Sequence, residues 1–257
     1  MVYLVMNLVA CAKYVNPSPT TIAVPQGMIY KTRDCFDLLK NSGGEVLCDK
    51  WWVMNKNEQV MVLNQENEND PSEPILSHKY SMAAYSYMGD LWIIDLSNRE
   101  KRNITNTPHY YETSPMWSPN DKSIAYIGSI GDGIGDLWIL NLSTGEKQNL
   151  SNTPNRDEFC WARHYYCSII WLAENVVFPS QERTEQNTPS KVLLTKINLR
   201  NLEYTILDNE NETGEPSLSP DSQKIAYGTG QIYDLQSQQL TIISSVDYGL
   251  TFLPMRT

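Results

Sequence analysis

Apolar and polar residues alternate along short stretches of this chain, and the stretches recur. Gly89-Asp-Leu-Trp-Ile-Ile-Asp-Leu-Ser-Asn98 and Gly135-Asp-Leu-Trp-Ile-Leu-Asn-Leu-Ser-Thr144 each predict a half-buried strand running into a polar turn. Both continue into an Asn-rich segment ending in proline, Arg102-Asn-Ile-Thr-Asn-Thr-Pro108 and Gln148-Asn-Leu-Ser-Asn-Thr-Pro154. A second unit, Trp117-Ser-Pro-Asn-Asp-Lys-Ser-Ile-Ala-Tyr126, returns as Leu218-Ser-Pro-Asp-Ser-Gln-Lys-Ile-Ala-Tyr227. This pattern predicts a hairpin whose proline fixes φ and whose Asx side chains favour the turn.

The hairpin frame extends to two degenerate copies, Leu76 to Tyr85 and Trp161 to Ile170, so its loop is expected to have one fixed length. The following connection varies: it is short from Tyr85 to Trp92, and from Tyr126 to Trp138 it carries Gly128-Ser-Ile-Gly-Asp-Gly-Ile-Gly135. Fixed turns on one face and variable loops on the other describe a scaffold with a binding side. The period is about forty residues, enough for four short strands. Units of that size, each unable to bury its apolar face alone, predict an all-β fold, a β-propeller of four-stranded blades. Five blades are recognisable, with room for a composite sixth completed by strands from residues near Val2 to Val15. The expected division is an N-terminal segment, residues 1–25, and a propeller, residues 26–257.

These residues resemble the WD-repeat-like propeller repeat of TolB and of the propeller domains of prolyl-oligopeptidase-type peptidases. The likeness runs from roughly Trp51 to Pro254. Ile104-Thr105, Pro115-Met-Trp-Ser-Pro-Asn-Asp121, Ile124-Ala-Tyr126 and Trp138-Ile-Leu-Asn141 follow the family motif, in which glycine takes the place of Asp121. Leu76-Ser-His-Lys-Tyr80 and Trp161-Ala-Arg-His-Tyr165 have lost the Pro-Asp turn, so distorted blades are expected there, and the fifth blade shortens its third strand to Ile232-Tyr-Asp234. The resemblance implies a non-catalytic interaction platform in the cell envelope.

Composition narrows the function classes. Hydrophobic residues make up 41% and aromatics 10% of 257 residues, which suits one sheet-rich domain. A formal charge of −10 repels phosphate backbones and anionic membranes, which excludes nucleic acid as a partner. No stretch reaches the roughly 20 apolar residues of a spanning helix. Leu8-Val9-Ala10-Cys11 resembles a lipobox and offers a lipid anchor at Cys11, although a buried first strand reads equally well and leaves a cytoplasmic location open. Cys35 with Cys48 and Cys160 with Cys167 form two locally spaced pairs, read either as disulfides or as buried thiols.

Candidate chemistry is sparse. The hydrolase elbow Gly-x-Ser-x-Gly is absent, and His78, His109 and His164 fall at different points of their blades, which argues against a histidine metal triad. Asp132 and Asp136, in the glycine-rich loop, are the candidates for a divalent cation, and no other cofactor is expected. An acid precedes each blade's first strand: Glu73, Glu112, Glu158 and Glu215, with Glu66, Glu68, Asp70, Asp157, Glu210 and Glu212 nearby. Repetition would put them on one rim, attracting a basic protein or peptide partner, or would leave them as turn caps and solubilising charges. His109, Tyr110, Tyr111 and Arg156 share those loops, and Tyr and Arg are enriched at interface hot spots. Two alternatives stand beside the binding module. One is a carbohydrate-active lyase or hydrolase using channel carboxylates or a cation, and the other is a degenerate propeller fragment without activity of its own.

Overall fold

Strands that are sandwiched between neighbouring sheets must be apolar on both faces, and the middle strands of this chain are. A computed structural model describes residues 8–9, 29–36, 46–55, 58–65, 72–130, 134–151, 156–159, 168–183, 189–208, 216–227 and 230–243. All the regular structure among them is β, in five blades of four strands that form a β-propeller. The first sheet holds β1 (Leu8–Val9), β2 (Ile29–Phe36), β3 (Val46–Asn55) and β4 (Glu58–Gln65). The second holds β5 (Ile75–Leu76), β6 (Met82–Tyr87), β7 (Asp90–Asp95) and β8 (Lys101–Asn103). The third holds β9 (Tyr111–Trp117), β10 (Ser123–Ser129), β11 (Ile134–Asn141) and β12 (Lys147–Asn149). After the single strand β13 (Arg156–Phe159), the fourth holds β14 (Ile170–Leu172), β15 (Asn175–Arg183), β16 (Pro189–Asn198) and β17 (Tyr204–Asp208). The fifth holds β18 (Ser217–Leu218), β19 (Lys224–Tyr227), β20 (Gln231–Asp234) and β21 (Gln239–Ile242). Neighbours within a sheet are antiparallel except β1, which lies parallel to β2 and comes from the N-terminal segment in which closing strands were expected.

Four apolar clusters join these sheets in chain order. Trp51, Val53 and Val60 meet Ala83, Tyr85 and Ile94 between the first and second blades. Ala84, Leu91 and Ile93 meet Trp117, Ile124 and Tyr126 between the second and third. Ala125, Ile127 and Leu137 meet Val176, Phe178 and Ile197 between the third and fourth, and Val177 and Leu194 meet Ile225 and Tyr227 between the fourth and fifth. Successive residues of one strand, such as Ala83 and Ala84 or Ile124 and Ala125, thus serve opposite interfaces, as the pleat requires. Burying one such Leu, Ile or Phe contributes about 1.5–3 kcal/mol, so a blade without its neighbours has little to hold it together. Polar bonds add to these seams: Trp117 Nε1 donates to Ile75 O at 2.8 Å and Tyr204 Oη to Leu150 O at 2.8 Å.

The fixed turns are built alike in the second, third and fifth blades. Tyr80, Asp121 and Ser222 occupy the same turn position with φ of +54°, +59° and +57°, the left-handed region where the family motif carries glycine. In each turn a serine backbone N–H reaches the next strand: Ser77 N to Met82 O, Ser118 N to Ser123 O and Ser219 N to Lys224 O. The distortion expected at Leu76–Tyr80 is therefore absent, because Ser77 Oγ still accepts from Ser81 N and Met82 N at 3.2 Å without the Pro-Asp pair.

The fourth blade departs from the frame. Ile170, expected on the second strand of a Trp161 hairpin, lies on the first strand β14 opposite Val177, and the turn to β15 is shortened to Ala173-Glu174. Trp161 and His164 lie outside the described residues. β13 is a further difference, for it pairs with β11 and β15 and fuses the third and fourth blades into one nine-stranded sheet. In the first blade, register sets Cys35 opposite Leu47 and Cys48 opposite Asp34, so these two positions do not face each other across the pair. Cys11, Cys160 and Cys167 are outside the described residues.

Candidate functional site

The Gly-Asp-Leu-Trp units place their aspartates as anchors for the outer edge of each blade. Asp90 accepts from Asn103 Nδ2 at 2.7 Å and Thr107 N at 3.1 Å, while Leu91 N donates to Thr105 Oγ1 at 2.9 Å. Asp136 repeats this in the next blade: Asn149 Nδ2 donates to it at 2.8 Å, and Leu137 N bonds Ser151 Oγ at 2.8 Å. The candidate cation ligand Asp136 is thus engaged in holding its own blade together. Asp132 lies outside the described residues, among which no group of three or more His, Cys, Asp or Glu could hold a metal ion.

Three of the four rim acids lie among the described residues. Glu73 is half-buried just ahead of β5. Glu158 stands in β13 opposite Gly135, away from the first strand of its blade, and Arg156 in the same strand pairs with Glu182 in the backbone ladder. Glu215 lies outside the described residues. Glu112 departs furthest from the expected exposed rim: it is inside β9 and only 2% exposed. The cause is a bulge. Ala125 pairs with Met116 but Ile127 pairs with Thr113, so β9 carries one extra residue around Ser114, whose φ is +56°. One inserted residue exchanges the two faces of a strand, which sets Glu112 opposite Gly128 on the face shared with Tyr126.

There Glu112 borders a half-open cavity of about 220 Å³ between the second and third blades, lined by Thr107, Tyr110, Tyr126, Gly128, Trp138 and Lys147. Lys147 Nζ donates to Thr107 Oγ1 at 2.6 Å and Thr105 O at 3.2 Å, and lies 3.9 Å from Glu112 Oε1. Burial pushes the Glu112 carboxyl above its ordinary value, an effect opposed by the Thr105 and Thr107 hydroxyls and by the Lys147 charge. Burial, then the Glu112 charge, likewise raises the Tyr126 phenol. Glu112 Oε2 and Trp138 Nε1 are buried without a hydrogen-bond partner among the described residues.

Gly128 keeps the cavity open. A Cβ there would stand 3.1 Å from Trp138 Cδ1 and 3.2 Å from its Nε1. The equivalent position of the preceding blade is Tyr87, which pairs with Asp90 as Gly128 pairs with Asp136, and its ring packs edge-on against Trp92 at 6.4 Å. One repeat fills the space that the next leaves free.

The mouth of the cavity is greasy. Tyr110 and Tyr111 are exposed, Tyr111 to 55%, and His109 beside them is exposed with φ of +67°. Gly89 packs under this pair, and a Cβ on it would meet Tyr110 O at 3.3 Å and Tyr111 Cδ1 at 3.4 Å. Tyr87 and Met88 precede that glycine, while Ile130 follows Ser129, the strand partner of Tyr111, and all three are exposed. Five of the eleven exposed large apolar side chains among the described residues therefore gather around Tyr111. The tyrosines were legible as candidates from the sequence; Met88 and Ile130 were not, because nothing in their local pattern shows that two separate turns meet.

No family model and no curated protein matches the chain. Solved structures do. The chain is similar to TolB from Acinetobacter baumannii, at 16% identity and a TM-score of 0.55 over 77% of this chain and 49% of that one. It is similar to a putative TolB from Agrobacterium tumefaciens, at 13% identity and a TM-score of 0.56 over 75% and 67%. A puromycin-hydrolyzing peptidase from Mycobacterium tuberculosis gives 11% identity and a TM-score of 0.59 over 83% and 37%. The chain spans about half the length of the Acinetobacter TolB and little more than a third of the peptidase. At these identities the likeness carries the fold, which is that of a TolB-like β-propeller.

Proposed function

We propose that the chain is a non-catalytic interaction module that holds a protein or peptide partner against the loop face around Tyr111. The observation that carries this reading is the clustering of Tyr87, Met88, Tyr110, Tyr111 and Ile130 beside a half-open cavity. Contiguous exposed apolar surface marks interaction sites, and tyrosine is prominent among interface hot spots. The charge of −10 favours a partner of basic character at long range, and His109 and the acids Glu73, Glu158 and Glu215 belong to the same proposal as peripheral contributors. A cell-envelope setting, with Cys11 as a lipid anchor, accompanies this reading on the strength of the repeat's resemblance to TolB.

Selection of displayed peptides on the whole chain tests it. Selected peptides should lose about tenfold or more in affinity on Tyr111→Ala, and less on the remote exposed change Leu202→Ala. Equal affinity for both variants, or no peptide selected, would remove the loop face as a binding surface.

A further inference from the structure

The cavity beside Tyr111 is small, and its size narrows what can enter. Pockets for whole small molecules run to about 300–1,000 Å³. At about 220 Å³ the space between the second and third blades admits one side chain.

Its chemistry narrows the choice further. The walls are Tyr110, Tyr126 and Trp138, flat and apolar. Two polar atoms at the site have no partner among the described residues: Glu112 Oε2, which can only accept from an incoming group while ionised, and Trp138 Nε1, which can only donate. Gly128 relates the two residues: Glu112 is its cross-strand partner, and the Trp138 indole nitrogen lies 3.2 Å from where its Cβ would be. A leucine or methionine would leave both unsatisfied, and each orphaned buried group costs about 1–3 kcal/mol. A lysine or arginine would satisfy the carboxylate and leave the indole N–H alone, and it would enter beside Lys147, whose ammonium already stands 3.9 Å from Glu112. An acid would accept from the indole but confront Glu112. A carboxamide has a donor and an acceptor on one planar group that can lie against aromatic rings.

We propose that this cavity is an anchor site for one carboxamide side chain, Gln or Asn, of a protein partner, its NH₂ donating to Glu112 Oε2 and its carbonyl accepting from Trp138 Nε1. The proposal rests on the partner reading above and supplies the residue that fixes register within it. The preceding blade has no counterpart of this opening because Tyr87 occupies the place of Gly128. Tyr110 is partly exposed and lines the cavity.

The test is a titration of the whole isotope-labelled chain with N-acetyl-glutamine methylamide, with the lysine and leucine analogues in parallel. The amide signals of Glu112 and Gly128 and the indole N–H of Trp138 are followed by NMR. The glutamine probe should shift them saturably, with the lysine and leucine analogues at least about fivefold weaker, a factor set by one hydrogen bond. Trp138→Phe, which keeps a ring and deletes the N–H, should weaken the glutamine probe by about fivefold and leave the leucine probe unchanged. Gly128→Tyr, filling the space as Tyr87 does, should abolish the saturable shift at Glu112 while the far-UV spectrum is retained. No saturable shift with the glutamine probe, equal response to leucine, or preference for lysine would overturn the proposal. Peptides whose binding is lost on Tyr111→Ala yet survives in Gly128→Tyr would leave the partner reading standing and remove the carboxamide anchor alone.

Discussion

The same turn position should respond in opposite ways to glycine in two blades. Asp121 and Ser222 both sit at φ near +58° after a Ser-Pro pair, where a non-glycine residue costs about 1 kcal/mol. At Ser222, whose side chain makes no hydrogen bond among the described residues, glycine only relieves that cost. Asp121 differs because its carboxylate crosses the seam: it accepts from His78 N at 2.7 Å, from Lys79 N at 3.0 Å and lies 3.1 Å from His78 Nδ1. Two backbone bonds to a charged acceptor contribute about 1.5 kcal/mol each, so their loss exceeds the conformational gain. Ser222→Gly should therefore stabilise by about 1 kcal/mol, and Asp121→Gly should destabilise by about 2 kcal/mol. For a chain of this length that corresponds to melting shifts of about +2 to +4 °C and about −4 to −8 °C, read by tryptophan fluorescence. If Asp121→Gly raises the melting temperature as Ser222→Gly does, the carboxylate does not pin the second blade to the third.

Two further outcomes follow from the seams. Trp117→Phe removes the indole bond to Ile75 O while keeping most of the buried ring, and should cost about 1–3 kcal/mol in urea unfolding, with little change in the slope against denaturant. Because burial raises the Glu112 carboxyl, the unfolded chain ionises first as pH rises from 4.5, and wild type loses stability until the folded group has ionised as well. Glu112→Gln lacks this loss, so its stability relative to wild type should climb between about pH 4.5 and neutrality; a constant difference across that range would show that the carboxyl is not perturbed.

How much of this was legible beforehand differs by feature. The Gly-Asp-Leu-Trp units and the Ser-Pro hairpins announced the blades, because Asp90 and Asp136 anchor outer strands through Asn-x-Thr or Asn-x-Ser partners at one constant spacing. A regular spacing in space leaves a regular spacing in sequence. The fourth blade was framed nine residues too early, since aromatic residues at the right interval stood in for a hairpin that uses the shorter Ala173-Glu174 turn. Glu112 was placed on an exposed rim because, like the other acids, it stands a few residues ahead of the Trp or Leu that marks a blade's first strand, whereas β9 already begins at Tyr111. The bulge at Ser114 then decides which face it takes, and a bulge is written in backbone dihedrals more than in residue types. The open cavity was hidden for a related reason: Gly128 read as the start of a flexible loop, whereas it is a strand residue whose missing side chain matters.

Successive blades sealed by four apolar clusters are what all the rest depends on, and contacts between methyl and ring protons test this most directly. Nuclear Overhauser spectra of the labelled chain should connect Val53 with Ile94, Ile93 with Ile124, Ile127 with Phe178, and Leu194 with Ile225 through the members of each cluster, always between neighbours in chain order. Cross-peaks that instead join the first sheet to the third, or the second to the fourth, would describe two facing layers and contradict the propeller.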